Sequence, residues 1–124
     1  MRQMALIAAV FGLVSLAGTV AHADDRPEHF EGKPAENLEQ ALTNLAEANA
    51  ELEERMAGEL SDEDMARIHE LSYTMENALQ RIQQDTESLA VTLEEIHLAS
   101  ERMDRSTVQD QGPKYLEKAR PLVQ

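Results

Sequence analysis

From Met65 to Met103 the apolar positions recur at alternating intervals of three and four. Met65, Ile68, Ser72, Met75, Leu79, Ile82, Thr86, Leu89, Leu93, Ile96, Ser100 and Met103 form one row. That spacing averages about 3.5 residues, which holds side chains on one face of an α-helix able to pack along a partner as in a coiled coil. No Gly or Pro lies between Glu59 and Gln111, so the backbone chemistry offers no break. The pattern predicts one long helix over about 62–103. Ser61 is placed to cap it, and Asp62, Glu63 and Asp64 suit the positive end of the helix dipole.

A first helix is predicted over about 35–57. Pro34 fits its opening turn, where a missing N–H costs nothing, and Gly58 is placed to end it in a left-handed C-cap. Its apolar row is Leu38, Leu42, Leu45, Leu52 and Met56, with Asn49 in line. A short turn at Gly58–Ser61 makes the two helices an antiparallel hairpin. Pairing Met56 with Met65, Leu52 with Ile68, Asn49 with Ser72, Leu45 with Met75, Leu42 with Leu79 and Leu38 with Ile82 gives residue numbers that total 120 or 121 throughout. A constant total is what an antiparallel seam demands, and polar Asn49 then faces polar Ser72 as a register marker.

A shorter third helix is predicted over about 107–121. Ser106 and Gln109 have capping-box spacing. Gly112-Pro113 either kinks this helix or marks a later start at Pro113. Folding back over the long helix, it would set Val108 against Met103, Tyr115 against Ile96 and Ala119 against Leu93. The expected fold class is all-α: an antiparallel helical hairpin with one long central helix, covered in series by helix 1 and the C-terminal helix, which meet near Thr86. The alternative breaks the long helix at Asp85–Thr86 and gives a compact four-helix bundle. A second apolar row, Leu71 and Ala78 followed by Val91 and Leu98, is left uncovered. Leftover apolar surface on so thin a body points to self-association or a helical protein partner.

The amino-terminal residues change the picture of where the chain works. Arg2 precedes an apolar or small run from Met4 to Val20, and Ala21-His22-Ala23 supplies small residues for cleavage. This is the layout of a signal peptide over residues 1–23, cut after Ala23, and it predicts a periplasmic protein with no membrane segment after cleavage. Residues 24–33 form a polar tail, and 34–124 a single helical domain. From Asp24 onward there are ten basic against 24 acidic residues, a net charge of −14. Such a surface repels nucleic acid and anionic lipid.

Candidate chemistry is sparse. The chain has no Cys, which excludes disulfides, thiolate sites and haem thioethers. There is no Gly-rich nucleophile turn and no phosphate loop, so no catalytic residue is assigned and no enzyme is expected. His69 and His97 share a heptad position but lie about 42 Å apart on a continuous helix. Glu94 and His97 make one Glu-x-x-His unit, whereas a di-metal site needs two, and Ala66 stands where the second Glu would precede His69. Met56, Met65, Met75 and Met103 could in type serve as haem ligands beside a His, but in the seam they read as packing. No metal and no cofactor is assigned.

Several strings carry a resemblance. HFEGKPAENLEQAL, DMARIHELSYTMENAL, LEEIHLASE and KYLEKAR resemble segments of a family of small exported bacterial helical proteins known only as a domain of unknown function. The resemblance runs from about Glu28 to Val123. It implies an exported all-helical product and implies no activity, cofactor or site residue. The expected function is that of a non-enzymatic interaction or structural protein acting through its helical surface, as a homo-oligomer or with a helical partner. The alternatives are a metal- or haem-binding helical bundle and a periplasmic holdase-like chaperone.

Overall fold

The computed structural model describes residues 30–124. The predicted signal peptide, its cleavage point and His29 lie outside the described residues. Within them the chain forms α1 (Leu38–Arg55), α2 (Asp62–Glu101) and α3 (Arg105–Ala119), followed by one 3-10 turn (Arg120–Leu122). The long helix is unbroken through Asp85–Thr86, so the compact four-helix alternative does not form within one chain. At 1.5 Å per residue its 40 residues reach about 60 Å. The Thr86 hydroxyl donates to the Ile82 and Gln83 carbonyls of its own helix, which accommodates a weak helix former without a break.

The caps show why the elements start and stop where they do. Ser61 caps α2, and the Asp64 carboxylate accepts in return from the Ser61 backbone, a complete capping box. α1 starts at Leu38 rather than near Pro34, because Asn37 is its cap and accepts from Gln40 N–H. Gly58 was expected to take positive φ and does not; α1 closes at Met56 in the right-handed region. The second turn is the left-handed one. Met103 has φ of 57°, Met103 N–H bonds Ser100 O, and Asp104 N–H bonds Ala99 O, which together make a Schellman ending. Asp104, not Ser106, caps α3, accepting from Thr107 N–H. α3 then runs straight through Gly112-Pro113.

α1 and α3 both pack on α2. The start of α1 and the 3-10 turn after α3 come together over the middle of α2, where Asn37, Leu38, Arg81, Asp85, Lys118 and Pro121 surround a small cleft. The two covers in series therefore meet over Arg81–Asp85, one residue from the expected Thr86.

The seam itself is turned. Glu51 pairs with Arg67 and Arg55 with Asp64, so facing residue numbers total 118 and 119, close to the expected register. The buried residues, however, are Leu38, Ala41, Asn44 and Ala48 on α1, and Leu71, Thr74, Ala78, Asp85, Leu89 and Ala99 on α2. Leu38 and Leu89 are themselves members of the predicted rows; the other eight each precede a member by one position. A shift of one residue rotates a helix by about 100°. Small side chains account for it: Ala41, Ala48 and Ala78 are buried with Leu38, Leu71 and Leu89, and most of the larger side chains of the rows turn to the flank. Two expectations fall with this rotation. Leu71 and Ala78 are core, not uncovered surface. Asn49 and Ser72 do not mark the register: Asn49 is exposed, and the Ser72 hydroxyl donates to His69 O on its own helix.

Candidate interaction surfaces

The hairpin has two unlike faces. On one, residues 30–37 run as an extended strap across α1 and α2 rather than as a free polar tail. Its backbone is read by side chains. Lys33 N–H donates to Thr74 Oγ1 at 3.0 Å, Asn77 Nδ2 donates to Lys33 O at 3.2 Å, and Asn44 Nδ2 donates to Pro34 O at 3.1 Å. These bonds are why Asn44 and Thr74 tolerate burial. Gly32 lies so close to α2 that a Cβ there would clash with the backbone of Tyr73 and Thr74, so glycine is required for the approach.

Beside the strap lies a cleft of about 460 Å³ reached by Phe30, Glu47, Glu51, Arg67 and Glu70. Glu51 accepts from Arg67 Nε and Nη2 at 2.7 and 2.9 Å and from Arg55 at 3.2 Å. Arg67 above all, and Arg55 with it, holds the Glu51 carboxyl at about 2 against an ordinary 4.5, with partial desolvation opposing them. The same bidentate contact raises Arg67. Asp64 is lowered first by the Ser61 hydroxyl and backbone and then by Arg55. Every acid in this cluster has a cationic or capping partner, which makes it a clamp between helices rather than a vacant ligand set.

The other face carries the predicted stripe. Because the helices are antiparallel, a one-residue offset toward the C-terminus turns both rows to the same side of the hairpin, opposite the strap. Leu42, Leu45, Asn49, Leu52 and Met56 on α1 and Met65, Ile68, Ser72, Met75, Leu79 and Ile82 on α2 line it; all are half-buried or exposed. None is charged, in a chain where 28% of residues are. Leu93 and Leu116 are also exposed farther along. Val91 and Leu98, the two remaining members of the expected uncovered row, are exposed as well.

The candidate ligands stay apart. Continuity of α2 keeps His69 and His97 about 42 Å from each other. His97 Nε2 lies 3.4 Å from Glu101 rather than on Glu94. His69 meets Tyr73 edge-on at 5.1 Å between centroids, with Nε2 3.3 Å from the phenol oxygen. Met56, Met65 and Met103 are exposed and Met75 is half-buried, so none packs in the seam as expected. Among the described residues no group of three or more His, Asp or Glu side chains is arranged to hold a metal ion. No helix among them is long and apolar enough to cross a membrane.

Asp85, which enters the sequence pattern only at the alternative break Asp85–Thr86, is buried. Its carboxylate accepts from Arg81 at 2.7 Å and lies 3.6 Å from Lys118 Nζ, tying α3 to α2 where the covers meet. The signal was present in the i, i+4 spacing of Arg81 and Asp85.

Fold and surfaces together define an all-helical hairpin protein with one long central helix and a strapped face opposite an uncharged apolar one. Over residues 1–124 the chain matches the model of a family of unknown function (DUF6746), and it belongs to that family. No curated protein and no solved structure matches it.

Proposed function

We propose that this is a non-enzymatic periplasmic interaction protein that works by covering the uncharged face of its hairpin. The observation that carries the reading is the rotation of both helices, which puts mostly small and polar side chains in the seam and leaves most of the Leu, Ile and Met row half-buried or exposed. A soluble chain seldom holds that much contiguous apolar surface without a use for it. The amino-terminal pattern of residues 1–23 supports export, and the acidic surface supports solubility away from nucleic acid and anionic lipid.

The test is site-specific photo-crosslinking in cells, with the probe at Leu79 on the apolar face or at Glu47 on the strap face. A discrete adduct from Leu79, lost when Leu45→Glu is added and absent from Glu47, is the expected result. Equal labelling from both positions, or none from Leu79, contradicts the reading. Fractionation of the same cells checks the compartment; the chain is expected in the periplasmic fraction.

A further inference from the structure

We infer that the occupant of the uncharged face is a second copy of this chain, stacked on it about a two-fold axis that crosses at Asn49 and Ser72. The inference rests on the docking reading above and names its partner.

Three observations lead to it. First, over two positions on either side of its polar member, each row is a palindrome in polarity. α1 reads Leu42, Leu45, Asn49, Leu52, Met56, and α2 reads Met65, Ile68, Ser72, Met75, Leu79. On both helices one polar position is flanked by two apolar ones on each side, and the register of the Glu51–Arg67 and Arg55–Asp64 pairs sets the two polar positions within about three residues of each other. A two-fold lying in the interface, across the helices at this row, puts α1 antiparallel on α1 of the second copy and α2 on its counterpart. Apolar rows then meet apolar rows, and Asn49 meets Asn49. A carboxamide both donates and accepts, so it satisfies its own copy at a two-fold, which an isologous interface requires.

Second, the core of one copy is thin. Among the described residues only seven apolar and three polar residues are buried, and no large side chain is fully buried. A second layer turns the hairpin half into a four-helix arrangement with all neighbours antiparallel. The stretch from Asp62 to Ile82 is about 30 Å long and two helices are roughly 20 Å wide. The overlap is thus about 600 Å² per copy and about 1,200 Å² in all, the lower edge of stable specific interfaces.

Third, the face is ready for burial. The Ser72 hydroxyl is already satisfied by His69 O and the Thr86 hydroxyl by its own helix, so no hydroxyl donor is stranded. Two acidic chains, each −13 over its full length, approach most easily where charge is sparse, and this row is such a place.

Light scattering on size-fractionated protein, with cysteine crosslinking, tests the inference. The parent chain should have the mass of two copies. Leu79→Glu and Leu45→Glu should have the mass of one with the helical circular dichroism signal retained. Because the chain has no Cys, Asn49→Cys should oxidise to a covalent dimer, and Glu47→Cys on the strap face should not. A parent of single-copy mass up to roughly 100 μM, a dimer that survives both Glu variants, or no crosslink from Asn49→Cys overturns the inference. If the parent is monomeric while the Leu79 photo-probe still captures a different discrete protein, self-association falls and the docking reading stands.

Discussion

Two glycines of this chain have opposite meanings. At Gly32 the obstacle to a side chain is the α2 backbone at Tyr73 and Thr74, where a Cβ would clash, and backbone cannot swing aside. Gly32→Val should therefore lift the strap and cost roughly 1–3 kcal/mol, read as a lower melting temperature and faster hydrogen exchange at Lys33. Gly58 has open space around it and no positive φ. Gly58→Ala should stabilise by roughly 0.4–1 kcal/mol, because it restricts the unfolded chain without straining the turn. Glu51 gives a third residue-level expectation. Its folded value of about 2 lies below the ordinary 4.5. The clamp to Arg67 and Arg55 is therefore fully present above about pH 4.5 and is lost as pH falls toward 2. Glu51→Gln should melt below the parent at pH 7, and thermal scans should converge as the pH is lowered to 2.

At the level of elements, the long helix and its caps were legible in the sequence, because an uninterrupted 3.5-residue period and a Ser-x-x-Asp box are local signals. The hairpin register was legible to within two residues, since the short turn sets it. The face was not. Apolar size picks out Leu42, Met75 and Leu79, whereas helix approach is decided by what is small. Ala41, Ala48 and Ala78 pack closest, and Asn44 and Thr74 join them only because the strap supplies their hydrogen bonds. That strap was unreadable as structure: its contacts to Thr74 and Asn77 are more than 40 residues distant. The second turn was placed two residues late because its left-handed position is filled by Met103 rather than glycine. A non-glycine residue there carries about 1–2 kcal/mol of strain, and Met103 is 72% exposed, so little packing is at stake. Met103→Gly should raise the melting temperature, with a gain near 1 kcal/mol.

For the whole molecule, charge and apolar surface are segregated. The ion clamp and strap close one side of the hairpin, Asp85 with Arg81 and Lys118 joins its two halves, and the other side presents the uncharged row with Glu53 beside Asn49, Leu52 and Met56. A self-associating body of this kind responds to salt in a definite direction. Each copy is strongly acidic, −13 over its full length, so raising ionic strength from about 0.01 to about 0.15 M shortens the screening length from about 30 to about 8 Å and relieves repulsion. The dimer dissociation constant from sedimentation should fall over that range. A dissociation constant that rises would mean that opposite charges, not apolar rows, hold the contact.

The rotation of the seam is the point on which the rest depends, and neighbouring residues test it. Ala78 is 0% exposed and Leu79 is 54% exposed. The comparison is the helical signal and melting temperature of Ala78→Glu against Leu79→Glu. Ala78→Glu should unfold the hairpin, while Leu79→Glu should stay helical. A stable Ala78→Glu beside an unfolded Leu79→Glu would put the Leu stripe back in the seam and contradict the structure.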